Sequence, residues 1–361
     1  MIGFTLGRYL SARFLTMIMA VFATIFGLVY LIDFVEMLRR AGDKPGVSAA
    51  FIAFLSFLRT PTVSEQVLPF CVLFGAMATF LNLTRKLELI VARAAGVSVW
   101  QFILPPVTIA ILIGLVSVTL LNPISAVMKQ SADRIELDLF GGSAKHGNDN
   151  TIWLRQKSVD GETMLRVEQQ SERGTSLQGV TAYVYDTDGN FVEKVEAERG
   201  LYRFGYWQLS NARITAPGEE GRMARTYLLA TNLTPEEVAN GTGSPDAVAF
   251  WSLPEVRDQT ERAGLDATGY RLQYQSLLAR PLLLVAMVLI AAAFSLRFFR
   301  FGGIAKMVVG GIGAGFVLYL LTKLVADLGG SGLLSAPVAA WSPAIVGSLL
   351  GALALLHQED G

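Results

Sequence analysis

The sequence predicts a polytopic α-helical membrane protein, with six transmembrane helices and a polar β domain inserted between the third and the fourth. Two observations carry this. Of 361 residues, 52% are hydrophobic and only 17% charged, where soluble domains carry about 25% charge. The shortfall is concentrated in apolar runs close to the roughly 20 residues that a spanning helix needs. The stretch 126–271 is polar instead, and its apolar residues alternate along short segments, as in half-buried strands.

The first run, Phe14 to Ile32, has no charge. A cleaved signal peptide has a shorter core of about 7–15 residues, so this one reads as a retained anchor. The second is interrupted: Phe51 to Leu58 leads in, Arg59, Pro61, Glu65 and Pro69 follow, and Phe70 to Leu83 continues. Proline kinks a helix, and a membrane bundle tolerates the kink. The third is Phe102 to Leu121, the fourth Leu277 to Phe294 with Arg280 in its first turn, the fifth Ile304 to Val325 and the sixth Pro337 to Leu356. One side of these spans holds Arg8, Arg13, Arg85, Lys86, Arg93, Arg297, Arg300 and Lys306. The other holds Arg39, Arg40 and Lys44, eight against three. The richer side is expected to be cytoplasmic. Both termini are then inside, and the β domain is outside, in the periplasm if the envelope is Gram-negative.

Within that domain Thr151–Leu154, Met164–Val167, Val180–Tyr185, Phe191–Val195, Leu201–Phe204 and Trp207–Leu209 look like strands. Asp188-Gly189 is a hairpin signal between two of them. Many short strands suggest a sandwich or jelly roll. Leu253 to Ala263 reads as a short amphipathic helix with Pro254 in its first turn.

Charge in the spans is sparse, so each instance asks for a reason. Arg39 and Arg40 at the outer end of span one match phosphate geometry, or equally make ordinary headgroup contacts. Asp33 and Glu36 stand at helical spacing to pair with them. Lys323 and Asp327, four apart, are placed for an intrahelical pair. Gly311 and Gly315 form a GxxxG pair in span five, which allows close helix approach, whether for sliding or for plain packing. Thr84 to Val99 forms a short amphipathic helix, lying on the membrane or docking a soluble partner through Glu88.

Much chemistry is excluded. A net charge of zero removes the bulk case for nucleic acid. Cys71 is the sole cysteine, and His146 and His357 are far apart, so no disulfide and no familiar metal spacing arises. There is no phosphate-binding GxxxxGK[ST] loop and no GxSxG elbow. The chain is expected to be no enzyme and to need no cofactor or metal. If the chain moves something against a gradient, the energy comes from a partner or an ion.

Four runs together resemble a known family: LIDFVEMLRRAG at the end of span one, RKLELIVARAAGVS on the cytoplasmic side, TNLTPEE closing the β domain and GYRLQYQSLLARPLL entering span four. They are similar to the LptF/LptG permeases of the lipopolysaccharide exporter, over essentially the whole chain. The resemblance implies transmembrane helices 1–3 over 1–125, a periplasmic β-jelly-roll domain over 126–271 and helices 4–6 over 272–361. It implies a coupling helix at 84–98, with Arg85, Glu88 and Arg93 facing the ATPase. Arg39, Arg40 and Arg134 would bind lipopolysaccharide, and Gly311 and Gly315 would pack a lateral gate formed by spans one and five. The implied partners are an LptF permease, an LptB ATPase dimer, LptC, the lipopolysaccharide substrate and membrane lipid, with no nucleic acid. Some relatives carry lysine where this chain has Asp33 and Thr62, which lowers positive charge near the cavity. Two rivals remain from the residues alone: a membrane scaffold or sensor with a partner-binding β domain, and an ion-driven transporter.

Overall fold

The computed structural model describes residues 4–42, 47–140, 152–158, 161–171, 175–186, 190–203, 205–218, 221–231, 245–262, 267–299 and 304–359. It divides into two compact units. One holds Met1–Ala132, Ala249–Leu253 and Thr268–Gly361; the other holds Asp133–Val248 and Pro254–Ala267.

Among the described residues the helical unit has six helices long and apolar enough to cross a membrane. Helix α1 is Phe4–Ala41, α2 Ala49–Arg85, α3 the short Glu88–Ala94 and α4 Val99–Val116. Helix α4 runs through a π turn, Ser117–Leu121, into α5, Asn122–Phe140. Helix α6, Leu253–Arg262, precedes the last three spans, α7 Thr268–Phe299, α8 Ile304–Gly330 and α9 Ala336–Glu359. Span two is one continuous helix with Pro61 and Pro69 inside it. At 37 residues it is about 55 Å long, well beyond a hydrocarbon core of about 30 Å.

The stretch 84–98 is not a single helix. Leu87 sits at φ 62° and Gly96 at φ 83°, left-handed conformations that end a helix. Ser98 then starts α4 in a capping box with Gln101. What remains between the breaks is α3.

Helices α2 and α7 form the buried centre, with Leu73, Ala76, Phe80, Leu284, Met287 and Ala291 in one core cluster. Two glycines allow the closest crossings. A Cβ on Gly75 would stand 2.6 Å from Ile18 Cα of α1, and one on Gly114 would meet the backbone of Pro281 in α7.

The second unit contains one six-stranded antiparallel sheet: β1 Ile152–Ser158, β2 Gly161–Ser171, β3 Ser176–Tyr185, β4 Phe191–Arg203, β5 Tyr206–Thr215 and β6 Arg222–Ala230. The expected β domain is present. Among the described residues its strands follow chain order as a meander. The two short segments expected at 191–195 and 201–204 are one strand, because the polar residues between them continue the pairing with β3. Asp188-Gly189 and all of TNLTPEE after Thr231 lie outside the described residues. One apolar face buries Leu165, Val180, Val195, Trp207 and Leu209. Pairing skips the row through Gly179 and Asn211, both at positive φ. Inward positions shift there from Leu177 to Val180 and from Leu209 to Ala212.

Candidate functional site

Helix α1 delivers four charges near its Ala41 end. Asp33, Glu36, Arg39 and Arg40 fall within two turns, so their side chains share one flank. Glu36 is the hub: Arg39 donates to its two oxygens at 3.0 Å each, and Arg40 Nε donates at 2.9 Å. Arg39 is the most open of the set, its side chain 76% exposed against 32% for Arg40. The intrahelical pairing read from spacing is therefore present. Asp33 turns the other way, to α2: it accepts from Ser56 Oγ at 2.7 Å and pairs with Arg59 Nε at 3.5 Å. Thr62 is buried and donates to the carbonyl of Ser125 at 3.3 Å. Asp33 and Thr62 thus both join neighbouring helices here. Arg134 lies on α5, exposed, in the other unit.

A second charged cluster is buried, and sequence reading did not assemble it. Glu65 of α2, only 4% exposed, forms an ion pair with Arg280 of α7. Arg280 also donates to Ser117 Oγ at 3.2 Å. Asn122 donates its amide to Glu65 at 3.2 Å and accepts from the backbone N–H of Phe250 at 2.9 Å. The signal was available: one acid and one base in separate apolar runs, each costly in lipid unless paired.

At the other end of the spans Glu88 opens α3 and accepts from the Tyr9 hydroxyl at 3.0 Å. Arg13 donates to that hydroxyl at 2.9 Å. Tyr9, Arg13, Thr16, Met17 and Asn82 line a cleft of about 370 Å³ beside it. Arg85 is exposed at the end of α2; the Arg93 side chain lies outside the described residues.

Gly311 and Gly315 face α2 of the same chain, against Met77 and Leu73. Phe70 of α2 and Tyr319 of α8 continue the contact, with ring centroids 5.0 Å apart. Other large side chains of α8 point elsewhere: Phe316, Val317, Leu320 and Leu324 are exposed. Lys323 and Asp327 are both exposed and, among the described residues, make no ion pair with each other. Lysine preceding the acid is the weaker orientation for such a pair. No group of three metal-binding side chains occurs among the described residues.

The profile described as "Lipopolysaccharide export system permease LptF/LptG" matches residues 8–357. The lipopolysaccharide export system permease protein LptG of Escherichia coli K12 is 24% identical over 331 residues, 90% of each chain. Its Haemophilus influenzae namesake is 23% identical over 361 residues, 97% of this chain and 95% of its own.

Proposed function

Because the chain belongs to the LptF/LptG family of lipopolysaccharide export permeases, we propose that it takes the LptG place beside an LptF chain, on an LptB ATPase dimer and with LptC. In this reading it is a non-catalytic, multi-pass inner-membrane subunit with both termini in the cytoplasm. The Lys and Arg asymmetry supports that orientation. Lipopolysaccharide enters sideways past α1 and α8, whose apolar windows are only 6% and 17% buried, against 67% for α2.

The observation that carries the reading is the Glu36 hub. Arg39 and Arg40 both donate to the Glu36 carboxylate, and Arg39 projects into the surroundings. A phosphate brings more charge and three acceptor oxygens, so it displaces Glu36 and takes both guanidinium groups. Arg134 is a further phosphate contact in this scheme. ATP-driven motion of the partner reaches the spans through α3, with Arg85, Glu88 and Arg93 facing the ATPase. It closes the cavity and drives the lipid toward the β unit.

Photo-crosslinking of lipopolysaccharide to the assembled transporter tests this. With Arg39→Glu and Arg40→Glu together, crosslinking falls at least tenfold while the chain and its ATPase still co-purify. Unchanged crosslinking sinks the assignment of the pair, and a chain that purifies without an ATPase sinks the exporter reading.

A further inference from the structure

The third proline of the third-span region explains an unusual arrangement. Pro123 has no N–H, so the carbonyl four residues earlier, that of Thr119, loses its helical donor. The helix answers with the π turn Ser117–Leu121, in which Asn122 N–H bonds to the Ser117 carbonyl five residues back. Isolated π turns concentrate at functional sites. Here the Thr119 carbonyl is taken by another donor, the indole Nε1 of Trp251 at 3.3 Å.

Trp251 belongs to Ala249–Leu253, the stretch by which the chain returns to the helical unit. A second bond holds it, from Phe250 N–H to Asn122 Oδ1 at 2.9 Å. The Phe250 ring stacks on Tyr274 of α7, with centroids 5.3 Å apart and planes 9° from parallel. Asn122 faces the right way for a stated reason. Its NH2 must point at the Glu65 carboxylate, which only accepts, and this leaves its oxygen for the Phe250 N–H. Glu65 is in turn fixed by Arg280, which also ties Ser117 at the start of the π turn. Every member of the chain Ser117–Arg280–Glu65–Asn122–Phe250 thus has a partner, as a polar network in a spanning region requires.

We propose that Glu65, Arg280 and Asn122 are positioning residues that clamp the returning turn Ala249–Leu253 onto the π turn, and that lipid export requires this clamp. The inference rests on the export reading for its second half only. None of the three touches the substrate in this scheme. They set where the polypeptide between the β unit and α7 leaves the helices, and a transporter that passes cargo from one to the other needs that point held.

The test uses the full-length chain in its assembled transporter: export is read without any reporter, and labelling in a parent with Cys71→Ala and a reporter at Phe250→Cys. Phe250 is 8% exposed, so a hydrophilic maleimide labels position 250 slowly in this parent. Asn122→Ala removes the bond to the turn and leaves the ion pair in place; labelling rises at least tenfold and export falls at least tenfold, with abundance unchanged. The pair Glu65→Leu with Arg280→Leu removes the charges together and strands neither. It accumulates normally, yet it labels and exports like Asn122→Ala. A purely structural ion pair would instead leave the leucine variant exporting like the parent, and that outcome overturns the proposal. Position 250 staying protected in Asn122→Ala overturns it as well. Should the leucine pair fail to accumulate, Asn122→Ala decides alone. An unmodified chain that supports no export in the same assay overturns the export reading, while the labelling contrast still judges the clamp.

Discussion

Two charged clusters sit on the apolar helices, built from the same residue types and used in opposite ways. In the first, Glu36 holds Arg39 and Arg40 from its own helix, and the Arg39 side chain is 76% exposed. In the second, Glu65 and Arg280 come from different helices, with side chains 5% and 16% exposed, and a serine and an asparagine complete their hydrogen bonds. The first cluster is local and open, so its ions can exchange partners with a ligand. The second joins three helices and a returning turn in surroundings where neither ion has water to fall back on. Burial, more than charge, separates groups that hold the frame from groups that remain free to bind.

The sharpest way to break this comparison is to remove one half of the buried pair. Glu65→Ala or Arg280→Ala leaves an uncompensated buried charge, a change that costs about 3–5 kcal/mol in buried pairs generally. We expect a large fall in thermal melting temperature and in the amount of chain recovered from membranes. A melting temperature within a degree or two of the parent's would show that the cluster is hydrated and no different in kind from the first. Arg39→Glu with Arg40→Glu is the matching change in the open cluster. It should lower lipopolysaccharide crosslinking and export by tenfold or more, and leave melting unchanged. Loss of both together would move the arginine pair into the frame.

The glycines give a contrast of intermediate size. Gly114 faces the Pro281 backbone, whereas Gly311 faces the flexible end of Met77. A side chain on Gly114 therefore forces two helix backbones apart, and one on Gly311 displaces a thioether that re-packs readily. Gly114→Ala should cost about 1–3 kcal/mol in thermal unfolding of the purified complex, and Gly311→Ala less. The reverse order would mean that α8 is held more rigidly than α4.

What could be read from sequence follows the range of the forces involved. Six spans and a strand-rich insert are written in local composition, because burial in lipid and alternation along a strand act within about 20 residues. The Glu36 pairing was legible for the same reason, since i,i+3 and i,i+4 neighbours meet on any helix. Glu65 and Arg280 are 215 residues apart. Their spans identify both as expensive, but only packing says that each answers the other. The clamp lay further out of reach. Pro123 marks a missing donor in the sequence, yet nothing local says that the indole of Trp251 takes the vacant carbonyl. The helix expected over 84–98 failed at Leu87, a non-glycine residue in a left-handed turn that composition does not reveal.

The smallest effect sharpens the comparison most. Glu36→Gln keeps the side-chain shape and hydrogen-bonding oxygen at the hub but removes its charge. If Glu36 is a placeholder that phosphate displaces, the variant releases Arg39 and Arg40 from competition. Lipopolysaccharide crosslinking near α1 then rises two- to threefold at low ionic strength, and the gain shrinks as salt screens the exposed charges. Melting does not change, because an exposed pair of this kind contributes little to stability. Turnover need not follow affinity: a substrate held more tightly at the Arg39 end leaves it more slowly, so export is level or reduced while crosslinking rises. If crosslinking falls instead, Glu36 is orienting the two guanidinium groups for the substrate. The open cluster would then be as pre-arranged as the buried one, differing from it only in what it faces.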